Sequence, residues 1–345
     1  MAKQYKNDSL DSFITLAHGH GGLLSHKLIR ETFLPLFSSP ELAPLDDAAV
    51  LKFPSCNLVF STDSYVVHPI FFPGGDIGKL AIAGTVNDIA VMGAKPVSLS
   101  VAFIIEEGFP VADLLRIAQS MADTCQMAGV RISTADTKVV PKGAADGVFI
   151  NTSGVGILRE GVRLSGSYAK AGQAVILTGF VGEHGAAIVA SRNELGVKGE
   201  FQSDCRPLAD LVGELLDSLP GKITVMRDPT RGGVATTLNE IARSSNVGIQ
   251  IDESALPVRK NTLALCEILG LDPLYLANEG ALVIVLDEDA VDSALAICRN
   301  HPAGRHAARI GKVRDDLSGK VVMFTVSGGK RIVDMLAGEM LPRIC

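Results

Sequence analysis

The 345-residue chain has no tryptophan, only 4 tyrosines and 13 phenylalanines, and 6 cysteines that never form a C-x-x-C pair. Cys56, Cys125, Cys205, Cys266 and Cys298 stand at long, irregular gaps, which excludes a disulfide framework or a structural zinc site and leaves them as inert thiols. Basic blocks are missing as well. Against 38 Asp and Glu there are 32 Lys and Arg, a net charge of -6 at pH 7, with no Arg/Lys stripe interleaved with aromatics. A nucleic-acid binder carries such a stripe, so no nucleic-acid partner is expected. No apolar run approaches the ~20 residues that span a bilayer. The stretch 77–92 comes nearest and is broken by Lys79, Asn87 and Asp88. Residues 1–20 carry Asp8 and Asp11 in place of the apolar segment of a secretory leader. A soluble, cytoplasmic protein with no membrane partner is the expectation.

What the chain does have is length, 47% hydrophobic residues, and 35 Gly and 16 Pro that punctuate it throughout. At roughly 150 residues per domain this suggests two domains, each with ample core. Apolar runs of strand length alternate with stretches of helical period. Strands are expected at 49–53, 58–62, 97–105 and 147–158, with helices at 76–92 and 111–127. After the loop 165–172 come strands at 174–178, 248–251, 281–286 and 320–326, with helices at 184–192, 207–218, 233–244 and 258–269. The fold class is α/β (α+β), with domains at 1–165 and 166–328. A final helix at 330–338 and a cysteine-bearing tail would complete the chain at 329–345. Gly338 can end that helix and Pro342 cannot continue one, so residues 339–345 should form a mobile arm reaching roughly 23 Å.

Nucleotide fingerprints are absent, and GGDIGKL misses a phosphate loop by its short spacing and by Leu80 in place of Ser/Thr. Acids recur instead at turns and strand ends: Asp46 and Asp47 in LDDAAVL, Asp63 in FSTDSYVV, Asp88 in GTVNDIAVMGA, Asp136 in STADTKVV and Asp228 in MRDPTRGG. Carboxylates without His or Cys suit hard cations such as magnesium, shared with phosphates. Any one of them could equally be a turn or capping residue. Asp88 stands out because, with Asn87, it interrupts an apolar helix where an unpaired carboxylate is costly. In DPTRGG, Gly232 and Gly233 precede a helix whose free N–H groups would favour an anion, and Arg231 could pair with phosphate; the alternative is a simple start capped by Asp228 or Thr230. LAHGHGG could wrap phosphates through Gly19, Gly21 and Gly22, with His18 and His20 as loop residues or ligands. Lys138 is either a surface lysine or a phosphate partner. Glu279 in LANEGALVIV precedes a very apolar strand, where partial burial would raise its pKa toward that of a general base.

The last residue is Cys345, in LPRIC. A prenylation signal needs cysteine four residues from the end, where Pro342 stands. A thiol at the tip of an arm can be modified in one place and carried to another, and Arg343 could offset the neighbouring α-carboxylate.

Taken together, AHGHGG, DDAAVL, STDSYVVHPIFFPGGDIGKLAIAGTVNDIAVMGAKP, ADTKVV, DPTRGGVA, ANEG and the terminal PRIC resemble the HypE family of hydrogenase-maturation carbamoyl dehydratases. That family lies within the superfamily of aminoimidazole ribonucleotide synthetase and selenophosphate synthetase. The resemblance runs over nearly the whole chain, with His20 and Asp46 as small departures. It implies a homodimer formed through the N-terminal domain and an ATP–magnesium site in the cleft between domains. Asp47, Asp63, Asp88, Asp136 and Asp228 match the acidic motifs around nucleotide and metal. Asn87, Thr137 and Lys138 match phosphate-proximal positions, and Gly232 matches the helix start that faces phosphate. Cys345, Glu279 and Lys138 match the catalytic group. The implied reaction is ATP-dependent dehydration of an S-carbamoyl group on Cys345 to a thiocyanate, the source of a cyanide ligand for [NiFe]-hydrogenase iron. HypF is the implied carbamoyl donor and the HypC–HypD complex the acceptor. Two other readings compete: a synthetase of the same superfamily acting on a free small molecule, with an incidental terminal cysteine, and a thiol carrier that hydrolyses no ATP.

Overall fold

The computed structural model describes residues 22–33, 44–53, 56–192, 199–336, 341 and 343–345. The glycine-rich segment at 16–21, with His18 and His20, lies outside the described residues, as do positions 337–340 and 342. In the first half, helix α1 (Leu23–Leu28) runs into a π-helical turn at Ile29–Phe33 and precedes five strands that form one sheet. These are β1 (Ala49–Lys52), β2 (Asn57–Tyr65), β5 (Ala94–Glu106), β6 (Arg131–Val140) and β7 (Val148–Leu158), while β3 (Phe71–Phe72) and β4 (Gly75–Asp76) make a separate ribbon. The sheet order is β1-β2-β7-β5-β6, and only β5–β6 is parallel.

Helix α2 (Ile77–Val91) lies across this sheet. Asp76 starts it by accepting the N–H groups of Gly78 at 2.8 Å and Lys79 at 3.0 Å, so the carboxylate of GGDIGKL is a helix cap. The helix is apolar on nearly every side because it is enclosed on nearly every side, by β2, β5 and β7, by helix α3 (Val111–Ala128), and by a helix of the second half. Gly84 permits the closest approach: a Cβ there would stand 2.3 Å from the Tyr65 hydroxyl.

Register decides which side chains face α2. Asp63 pairs with Thr152, Thr152 with Val101, and Val101 with Ala135. Thr152 and Val101 are buried, so this row faces the helix. The next row, Ser64, Asn151, Ala102 and Asp136, faces away, and Lys138 shares its side. Strand β6 is not among the sequence expectations; it is a sheet edge, exposed along almost its whole length, and so carries no apolar alternation.

The second half builds a seven-stranded sheet from β8 (Ala174–Leu177), β9 (Ile223–Arg227), β10 (Gly248–Asp252), β11 (Val283–Leu286), β12 (Ala308–Arg314), β13 (Val321–Phe324) and β14 (Lys330–Val333), in the order β14-β13-β10-β12-β8-β11-β9. Strands β8 and β11 read AVIL and VIVL because both faces are covered. Helices α4 (Glu183–Ser191), α5 (Ala209–Ser218), α6 (Gly233–Ser244), α7 (Lys260–Leu269) and α8 (Val291–Asn300) accompany it, and α5 packs on α2 to join the two halves. The helix expected at 330–338 is not formed where the chain is described. Residues 330–333 are instead β14, turned back onto β13 by a tight loop in which Gly328 has φ 83° and Gly328 N–H donates to Thr325 O at 2.9 Å. Among the described residues no helix is long and apolar enough to cross a membrane.

Candidate active site

Three acids that are far apart in sequence meet where the two sheets approach. Asp47 stands just before β1, Asp88 is the one acidic residue of α2, and Asp228 follows β9; their ligand oxygens lie within 4.8 Å of one another. Oxygen-only donors at this separation fit a hard divalent cation of the magnesium type. Their protonation reflects crowding. Burial first, then the charges of Asp63, Asp228 and Asp47, push the Asp88 carboxyl well above its ordinary pKa. Burial and Asp47 raise Asp228 to about 7, and burial raises Asp47 to about 6 against the opposing pull of Arg227. The Ser61 hydroxyl donates to Asp88 at 2.7 Å and holds that carboxylate over the sheet.

Arg227 is the cation beside this cluster. Its Nη2 lies 2.7 Å from Asp47 and 3.1 Å from Glu240, and Glu240 in turn lies 2.8 Å from His26 on α1. The network therefore ties the N-terminal helix to the acids. Asp46 serves the same end differently, accepting from the Ser165 hydroxyl at 2.8 Å and the Gly166 N–H at 2.9 Å to fix the loop before Asp47. Asp63 faces the cleft from β2 and accepts from the Tyr65 hydroxyl at 3.1 Å. Its charge acts on Asp88, Asp228, Glu279 and Cys345 without its joining the three-acid group.

At the start of α6, Gly232 (φ 76°) is the N-cap, with no side chain capping it, so neither Asp228 nor Thr230 fills that role. The buried Thr236 hydroxyl beside it has no partner among the described residues. Free N–H groups and an unpartnered hydroxyl suit a phosphate.

Glu279 is buried, and its Oε1 also lacks a partner among the described residues. Burial, then Asp228 and Asp204, push its carboxyl well above the ordinary range. Its loop is clamped by Asp204, which accepts from Asn278 Nδ2 at 2.7 Å, Glu279 N–H at 3.0 Å and Gly280 N–H at 3.1 Å. A Cβ on Gly280 would stand 1.8 Å from the Asp204 carbonyl oxygen, so only glycine permits this approach. No sequence signal marks Asp204, because its partners are 74–76 residues away.

The tail departs from the expected extended arm. Arg343, Ile344 and Cys345 are docked in the cleft, where Val66 N–H donates to the Cys345 oxygen at 3.2 Å and His68 N–H to Arg343 O at 3.1 Å. Burial raises the Cys345 thiol to about 12, opposed by Arg231, and Glu279 and Asp63 add to the rise. The cation beside the thiol is thus Arg231. Arg343 points elsewhere, to Asp146 and to Val66 O, so it does not serve the α-carboxylate.

Two expected groups lie apart from this constellation. Asn87 is wholly buried and its amide is committed to backbone, donating to Arg206 O at 3.1 Å and accepting from Leu208 N–H at 2.8 Å. Asp136 and Lys138 pair with each other at 2.8 Å on the far face of the first sheet, and Thr137 lies on the same exposed strand.

Comparison with known proteins places this arrangement. The family model described as AIR synthase related protein, N-terminal domain, matches residues 45–158, and its C-terminal counterpart matches residues 170–324. Matched in both halves, the chain is an AIR synthase related protein. A carbamoyl dehydratase HypE from Cupriavidus necator is 50% identical over 333 residues, covering 96% of this chain and 95% of that protein. A HypE–HypF complex superposes with a TM-score of 0.85 at 48% identity, covering 90% of this chain and 99% of the other. A HypE in complex with ATP gives 0.81 at 48% identity, covering 96% and 100%. The chain belongs to the HypE family.

Proposed function

We propose that this chain is an ATP-dependent carbamoyl dehydratase of [NiFe]-hydrogenase maturation, whose substrate is an S-carbamoyl group on its own Cys345. The observation that carries the reading is the docked tail, which brings the Cys345 thiol among Glu279, Arg231 and Asp63. A free small-molecule substrate would have to displace that tail. Asp47, Asp88 and Asp228 would hold magnesium, which when bound would offset the charge of the ATP phosphates.

The thiocarbamate –S–C(=O)–NH2 holds an oxygen that is a poor leaving group. Transfer of the γ-phosphoryl group to that oxygen gives ADP and lets the oxygen depart as phosphate. Two N–H protons are lost and the carbon–nitrogen bond becomes triple, leaving –S–C≡N. Glu279 would accept a proton, since burial raises its affinity for one. Arg231 and the start of α6 at Gly232 would stabilise negative charge on the phosphates.

HypF as a partner is supported by the HypE–HypF complex; its part as carbamoyl donor and that of the HypC–HypD complex as cyanide acceptor belong to the same reading, with a cytoplasmic setting. A homodimer is supported by the outer face of the first sheet, which leaves Phe60, Ile104 and Ile157 exposed, and by the open β6 edge. Lys138, Asp136 and Thr137 enter the chemistry only through such an assembly. The test is a tail truncation: removal of Arg343–Cys345 should leave ATP binding measurable by calorimetry but abolish ADP formation. Undiminished turnover of a free substrate would instead favour the small-molecule synthetase.

A further inference from the structure

Several of the contacts that hold the docked tail do not involve its thiol. Its backbone pairs with the segment after β2 in antiparallel fashion, through Val66 N–H to the Cys345 oxygen and His68 N–H to Arg343 O. The Arg343 guanidinium donates back to Val66 O at 2.8 Å and pairs with Asp146. His184 is wholly buried, and its Nε2 lies 2.7 Å from the Ile344 carbonyl. That oxygen can only accept, so Nε2 carries the proton, and Nδ1 accepts from the Ser203 hydroxyl 2.7 Å away. Ser203 Oγ in turn accepts from Cys205 N–H at 3.1 Å, which sets the direction of the whole chain of bonds. Burial lowers the His184 pKa and keeps the neutral ring that this pattern requires. Ile344 packs against the core of the first half.

We infer that these groups form a peptide-recognition site selective for an Arg-Ile-Cys segment, in which Asp146 reads the arginine and His184 fixes the backbone, so that docking has anchors apart from the thiol. Backbone hydrogen bonds supply affinity and side-chain contacts supply selectivity, as in other peptide-recognition sites. The inference rests on the reading that the tail thiol is served in this cleft. Asp146 and His184 are positioning residues.

The experiment follows alkylation of Cys345 by iodoacetamide in the full chain, resolved by peptide mass spectrometry, with and without magnesium and ATP. Docking should slow the reaction relative to the free peptide Leu-Pro-Arg-Ile-Cys. Asp146→Asn, at an exposed position that does not threaten folding, should speed it by about threefold, within the range of a solvent-exposed ion pair. His184→Phe should speed it by about tenfold, the order expected when a buried hydrogen bond is lost. His184→Gln, which can still donate to Ile344 O, should stay near the parent rate. At about millimolar concentration, comparable to that of a short tether, the peptide Leu-Pro-Arg-Ile-Ser should compete and speed alkylation, whereas Leu-Pro-Ala-Ile-Ser should not. An unchanged rate in Asp146→Asn, or equal effects of the two peptides, would overturn the inference. Because the assay contains no carbamoyl group, it tests docking alone; selective docking here together with no loss of water from carbamoylated Cys345 in a separate assay would sink the proposed reaction and leave this inference standing.

Discussion

Asp88 and Asp136 each sit in a short polar interruption of an apolar segment, in GTVNDIAV and STADTKVV, and the structure gives them opposite environments. Asp88 lies beneath the sheet among other carboxylates, with its proton affinity raised by burial and by their charge. Asp136 lies on the far face of the same sheet, 64% exposed, and the hydrogen bond and charge of Lys138 lower its pKa. One step in strand register separates the row that faces the helix from the row that holds Asp136. A carboxylate motif therefore acquires its chemistry from the face it occupies. Buried acids with raised pKa values suit cation and proton handling, whereas an exposed ion pair is screened by water.

The largest effect should come from Glu279, the buried acid with an unpartnered oxygen. Glu279→Gln should lower dehydration turnover by about 10²–10⁴-fold while ATP binding by calorimetry persists. Asp204→Asn comes next, because the new amide nitrogen would replace an oxygen that accepts one or two of the three N–H donors and so loosen the Glu279 loop. Turnover should fall by about tenfold or more, as small misplacements do, with ATP affinity retained. Asp228→Asn should raise the melting temperature of metal-free protein by roughly 2–4 °C, the shift expected for about 1 kcal/mol, and remove the stabilisation by magnesium.

The same cluster sets a pH dependence. Asp47 and Asp228 titrate near 6 and 7 when folded and near the ordinary ~4 when unfolded. Between those values the folded state holds more protons, so metal-free stability falls as pH rises from about 4 to 7. Melting in EDTA should show this loss, and the stabilisation by magnesium should be greater at pH 8 than at pH 5. The smallest effect belongs to Lys138→Gln, which should leave the melting temperature unchanged and lower turnover less than Glu279→Gln does. Equal losses in the two variants would break the contrast between the two faces.

Much of this was legible in the sequence where local rules apply. The apolar runs AVIL and VIVL, the start of α6 at Gly232 and the polar break in α2 all have local causes, and the structure contains each. What could not be read is what depends on distant partners. Arg227 and Asp47 are 180 residues apart, and His184 meets Ile344 across 160 residues. Edge strand β6 leaves no sequence signal because an edge exposed on both faces needs no alternation, and β14 is open to a helical reading because a four-residue strand gives little period to measure. Gly338 and Pro342 argued for a free arm, but nothing in the last residues shows that Val66, His68, Asp146 and His184 stand ready to receive them.

The central claim is that Cys345 bears the substrate and that ATP drives its dehydration in place. Intact-mass spectrometry after incubation with HypF, carbamoyl phosphate and ATP tests it most directly. The account predicts a carbamoyl adduct on Cys345 that becomes lighter by one water when magnesium and ATP are supplied, with no adduct in Cys345→Ala. An adduct on another cysteine, or loss of water without ATP, would contradict it.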